Sequence, residues 1–137
     1  MVKIARDIMH QHTLVPGDMS IKEVARLMSA KRIGSVLVEK GKDYGMLTER
    51  DIVNKVIVEG KDPLKVKAKD IMCFPVVTVE PDADLYKVSS LFNKYPFRRL
   101  PVVENGKVIG VVTTRDVAKQ FIPEFFKETY HFKDFRF

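Results

Sequence analysis

"SVLVEKGKDYGMLTERDI" runs from Ser35 to Ile52, and "LPVVENGKVIGVVTTRDV" runs from Leu100 to Val117. Each reads as an apolar segment, a glycine-bearing turn, a second apolar segment, then Thr-x-Arg-Asp and a β-branched residue. Apolar segments of this length joined by "KGKD" or "NGKV" predict a β-hairpin, with Gly41 or Gly106 supplying positive φ. The phrase that follows predicts a helix start, because Thr is a good N-cap and Asp three residues on suits the first turn.

The repetition extends outward from this pair. "ARDIM" (Ala5 to Met9) returns as "AKDIM" (Ala68 to Met72), and "TLVP" (Thr13 to Pro16) as "TVEP" (Thr78 to Pro81). "IKEVARLMSAKRI" (Ile21 to Ile33) returns as "LYKVSSLFNKYPF" (Leu85 to Phe97). In these segments Ile21, Val24, Leu27 and Met28, matched by Leu85, Val88, Leu91 and Phe92, recur at helical spacing, with Ser20 and Asp84 as the expected caps. A short strand is expected before each helix, around Thr13 to Val15 and around Val76 to Val79. The second helix of copy one is expected to bury Ile52, Val53, Val56 and Ile57. In copy two Val117, Ala118 and Phe121 take that place. The fold class is therefore α+β, an α/β-sandwich-like pair of β-α-β-β-α units. The division is residues 1–63 for the first repeat and its connector, 64–122 for the second, and 123–137 for an aromatic tail. One such unit, at roughly 55–60 residues, is near the lower limit for independent stability, so a pair is expected.

Composition narrows the classes of function. The chain has 137 residues, 45% hydrophobic and 31% charged, which is globular rather than disordered. Apolar runs are too short for a membrane span, and "MVKIARDIMHQH" has no signal-peptide core. With a single cysteine, Cys73, these features predict a cytoplasmic protein. The net charge of +6 is a modest excess spread among acids, and "KDPLKVKAKD" (Lys61 to Asp70) reads as a solvated connector. His10 and His12 lack the company a metal site needs, and read as polar residues near the chain start. Cys73 reads as a small buried or linker residue.

Thr-x-Arg-Asp also has a binding reading. Free N–H groups at a helix start attract anions, and a Thr hydroxyl beside them can donate to phosphate or ribose. An Asp carboxylate matches the vicinal hydroxyls of a ribose, and Arg offers a fork-shaped cation. Gly45 and Gly110, just upstream, leave room for a ligand to approach.

The ordered set of motifs, present twice between Ile4 and Ile122, resembles a tandem pair of CBS domains. The resemblance implies two such folds packed through their sheets about a pseudo-twofold axis. It implies clefts that hold AMP, ADP, ATP or S-adenosylmethionine as a bound ligand, with no required cofactor and no metal. Ribose and phosphate would fall to Thr48, Arg50 and Asp51 and to Thr113, Arg115 and Asp116. The adenine would meet Thr13, Leu14, Gly34, Ser35 and Val36 in one copy, and Thr78, Val79, Arg98, Arg99, Leu100 and Pro101 in the other. The copies differ: Val36 stands against Pro101, and Glu49, beside the expected anion site, replaces Thr114. Copy two is thus expected to bind phosphate-bearing ligands more tightly. The resemblance further implies a homodimer and a regulated partner protein.

No Ser/His/Asp set, P-loop or metal spacing is present, so no enzyme is expected. Two other readings stay open. One is a nucleic-acid binder that uses the basic charge and the tail "FIPEFFKETYHFKDFRF" (Phe121 to Phe137), whose more direct role is docking on its own core or on a dimer partner. The other is a structural scaffold that binds no ligand.

Overall fold

The computed structural model describes residues 3–121. Its elements are α1 (Ala5–Ile8), β1 (Leu14–Pro16), α2 (Ile21–Lys31), β2 (Ser35–Lys40), β3 (Asp43–Thr48), α3 (Glu49–Ile52), a π-helical turn (Val53–Ile57), α4 (Ala68–Ile71), α5 (Leu85–Lys94), β4 (Arg99–Glu104), β5 (Lys107–Thr113) and α6 (Thr114–Lys119). They form two compact units. One is His12–Val76; the other joins residues 3–11 to residues 77–121. The folded units are thus offset from the sequence repeats at 1–63 and 64–122, because each unit combines the body of one repeat with the leading segment of the other.

The bodies follow the repeated grammar. Ser20 Oγ accepts from Glu23 N–H at 3.2 Å and starts α2; Asp84 Oδ1 accepts from Lys87 N–H at 2.9 Å and starts α5. Ile21, Val24 and Met28 of α2 pack with Val15, Val36, Val38 and Leu47 in the first body. Val88 of α5 packs with Leu100, Val102 and Val112 in the second. In each hairpin the turn glycine has positive φ, 61° at Gly41 and 79° at Gly106.

The leading segments close the units. Asp70 Oδ2 accepts Lys67 N–H at 2.9 Å, and Asp7 Oδ2 accepts Ile4 N–H at 3.0 Å, so the repeated Asp of "AKDIM" and "ARDIM" caps its own short helix. Ala68 N–H then reaches Met19 O, and Ala5 N–H reaches Ala83 O, both at 2.8 Å. Just after the helices, Cys73 exchanges two backbone hydrogen bonds with Met46, and His10 exchanges two with Val111. Each crossing is possible because β3 and β5 carry a glycine there. A Cβ at Gly110 would lie 2.6 Å from Met9 Sδ and 3.1 Å from His10 O; one at Gly45 would run into Met72 Sδ. The space expected for a ligand at Gly45 and Gly110 is therefore filled by methionines of the protein itself.

Three further expectations are corrected. Among the described residues, the second copy has no first strand beyond the bridge Val79↔Val102. The reason lies in register. Gly34 O accepts Glu49 N–H and Arg98 O accepts Thr114 N–H, each at 3.0 Å, which makes Gly34 and Arg98 equivalent and aligns Val36 with Leu100, not with Pro101. Pro101 then matches Leu37, whose N–H donates to Thr13 O at 2.9 Å. Proline has no such donor, so this pairing cannot extend. Second, Val53 and Ile57 are exposed at 50% and 61% while Val56 is buried. The i→i+5 bonds Val58 N–H to Val53 O and Lys61 N–H to Val56 O slow the angular advance of the chain and turn those residues off the buried face. Third, Phe121 is exposed, whereas the exposed Cys73 agrees with its reading as a linker residue rather than a buried one. The rest of the aromatic tail lies outside the described residues.

Substituting Gly110→Ala should cost about 1–3 kcal/mol in denaturant unfolding, the usual range for overpacking. Adding Met9→Ala should recover part of that loss, since the two sites touch and their effects are not additive. Additive losses would place the strain elsewhere.

Candidate functional site

Both Thr-x-Arg-Asp phrases close a reciprocal cap. Asp51 Oδ2 accepts Thr48 N–H at 2.9 Å and Thr48 Oγ1–H at 3.0 Å, and Asp51 N–H returns to Thr48 Oγ1 at 3.3 Å. Asp116 Oδ2 accepts Thr113 N–H at 2.7 Å and Thr113 Oγ1–H at 2.9 Å, and Asp116 N–H returns to Thr113 Oγ1 at 3.1 Å. The helices so started are short, four residues for α3 and six for α6. The dipole of α6 is correspondingly small, whereas α3 runs on directly into the π-helical turn Val53–Ile57. What the cap does is immobilise each carboxylate by one oxygen.

The other oxygen differs between units. Asp51 Oδ1 is 3.2 Å from Lys55 Nζ, which also donates to Ile71 O at 2.9 Å. Asp116 Oδ1 has no protein donor among the described residues. Instead His10 Nδ1, 3.0 Å away, donates a third hydrogen bond to Asp116 Oδ2. The donor must be the imidazole, since an ionised carboxylate has no proton to give. His10 arrives on the leading segment beside Val111, where the other unit has Cys73. Burial alone would raise the Asp116 pKa, but the bonds from His10 and from Thr113 N–H and Oγ1–H outweigh it and hold the carboxyl below its ordinary value.

Arg50 is exposed. Arg115 is not: its Nε and Nη2 are buried and have no acceptor among the described residues. Thr13, Gly34 and Ser35 are half-buried, and Leu14 is 38% exposed on β1. The Glu49 carboxylate lies against Gly34, where a Cβ would sit 2.7 Å from Oε1. In the second copy Thr78 and Arg98 are exposed, Arg99 is half-buried opposite Thr113, and Pro101 is buried. Val36, Val79 and Leu100 put their side chains into the cores, so these three positions can offer a ligand only backbone groups. Among the described residues no three His, Cys, Asp or Glu side chains gather as a metal group, and no helix is long and apolar enough to cross a membrane.

Residues 5–58 and 68–122 each match the model of the CBS domain. The chain belongs to the CBS-domain family. Its two CBS domains make up most of its length, and proteins of this kind are commonly regulatory modules. An uncharacterised protein of Methanopyrus kandleri is 46% identical over 98 residues, which is 69% of this chain and 50% of that one; the chain thus spans half the length of that relative. The CBS domain-containing protein YhcV of Bacillus subtilis is 32% identical over 109 residues, 79% of this chain and 77% of its own. Among solved structures, a hexameric CBS-CP12 protein from bloom-forming cyanobacteria has a TM-score of 0.78 at 30% identity, covering 95% of this chain and 77% of that one. A structure of Hypoxic Response Protein I with two coordinated zinc ions has a TM-score of 0.75 at 29% identity, covering 86% of this chain and 98% of that one.

Two contributors escape a reading of either CBS repeat alone. His10 and Lys55 are both visible as mismatches between the copies, against Cys73 and Gln120, but nothing in the sequence says that either side chain reaches an Asp of the phrase.

Because the folded pKa of Asp116 lies below its unfolded value near 3.9, its ionisation stabilises the fold above that pH and the contribution is lost as pH falls through the folded value. Denaturant melts at pH 7 and pH 3 should therefore show a larger acid loss in wild type than in Asp116→Asn. Equal losses would contradict the assignment.

Proposed function

We propose that this CBS-domain protein is a regulatory module that takes an adenosine-containing ligand at the Thr113–Asp116 phrase and passes its occupancy to a partner protein. The observation that carries the reading is Arg115. A guanidinium with two buried nitrogens that find no partner among the described residues is costly to maintain, and a ligand phosphate would supply the missing acceptors in the geometry Arg prefers. One residue along, Asp116 Oδ1 meets no donor among the described residues and can accept ribose hydroxyls while Oδ2 is held by Thr113 and His10. Phosphate-bearing ligands, AMP, ADP and ATP, suit this pair of groups better than S-adenosylmethionine does. Thr78, Arg98 and Arg99 remain candidates for the adenine side of the ligand.

Binding of this kind needs no catalytic group, and none is invoked. Self-association belongs to the same reading: Val53, Ile57 and Val58 leave apolar side chains exposed at 50%, 61% and 72%, and surface of that character is commonly covered by a partner.

AMP titrated calorimetrically into the purified chain should bind in the micromolar range. Asp116→Ala should weaken it at least tenfold, and Arg115→Ala should weaken AMP far more than adenosine. Absence of binding by AMP, ADP, ATP and S-adenosylmethionine alike would return the phrase to helix starting and favour the scaffold reading.

A further inference from the structure

The two phrases share a sequence and a cap, yet they differ in how many acceptor sites remain. An ionised carboxylate accepts only at its two oxygens, so a cation already seated on one limits what a ligand can add there. In both units Oδ2 accepts the two donors of its threonine, and Asp116 Oδ2 accepts His10 as well. Asp116 Oδ1 meets no donor among the described residues and is open to the two hydroxyls of a ribose. Asp51 Oδ1 is instead ion-paired with the Lys55 ammonium, 3.2 Å away. The Lys55 ammonium is held from a second side as well, by Ile71 O at 2.9 Å. It thus lies across the carboxylate, although its side chain is 46% exposed. Its counterpart Gln120 makes no such bridge, and its amide reaches the main-chain oxygen of Asp116 at 3.5 Å.

A second feature of the same unit acts in the same direction. The Glu49 carboxylate rests against Gly34, one of the positions expected to meet the ligand, where a phosphate would be repelled. Thr114, the matching residue in the other unit, carries no charge.

We infer that Lys55 is a built-in plug for the copy-one site. It takes the place of a ribose hydroxyl on Asp51, so the chain binds one adenosine ligand, at Asp116, until Lys55 is displaced. The inference rests on the proposed adenosine-ligand reading and adds to it a stoichiometry and a residue that sets it.

AMP calorimetry on four full-length variants tests it. Wild type should bind one equivalent. Asp116→Ala should show at least a tenfold loss, with no second site of wild-type affinity. Asp116→Ala/Lys55→Met, which keeps the aliphatic stem without the ammonium, should regain binding at least tenfold, and adding Asp51→Ala should abolish it again. Lys55→Arg in the Asp116→Ala background keeps a cation and should stay closed; it also reports whether altering position 55 merely disturbs the fold, as do thermal melts of each variant. Two equivalents in wild type, or a Lys55→Met variant that folds and regains nothing, would overturn the plug while leaving the ligand reading intact. No AMP binding by wild type would overturn both.

Discussion

Each half of this protein depends on a methionine laid across a glycine. Met9 over Gly110 and Met72 over Gly45 let a leading segment come close enough to β5 or β3 to exchange backbone hydrogen bonds with it. A side chain on either glycine would push that segment away. The edge strand would then lose two backbone hydrogen bonds, and the core would lose the buried Ala5 and Ile8, or Ala68 and Ile71. For a body of this size, with a core of about ten side chains, such a loss is a large part of the available stability. The exchange of leading segments also makes each compact unit from two distant parts of the chain.

That exchange has a consequence for the candidate site. The segment that closes the second CBS body carries His10 to Asp116, whereas the one that closes the first carries Cys73. One carboxylate is thereby secured through a single oxygen by three donors. The other is secured through both, with Lys55 on the second. Two nearly identical phrases become chemically different because of residues outside them. Arg115 sharpens the difference, since its buried Nε and Nη2 have no acceptor among the described residues while Arg50 is exposed.

Much of this was legible in the sequence, because it follows from local chemistry. The hairpins follow from their turn glycines, α2 and α5 from apolar spacing and a capping side chain, and the reciprocal Thr–Asp caps from a spacing of three. What escaped depends on tertiary register. A helical period placed Val53 and Ile57 inward, but the π-helical turn moved them outward. Matching "TLVP" to "TVEP" implied a strand that Pro101 cannot support, since it lacks the N–H that Leu37 uses. Glycines that suggested space for a ligand proved to be contacts within the protein. His10, 106 positions from its partner, gave no local sign of its role.

The most direct measurement is a crystal structure of the chain grown with AMP. Ribose hydroxyls are expected on Asp116 Oδ1, with a phosphate oxygen within hydrogen-bonding distance of Arg115 Nε and Nη2 and Lys55 still bridging Asp51 and Ile71. A nucleotide bound at Asp51, or one that leaves Asp116 Oδ1 and Arg115 without a partner, would contradict these assignments.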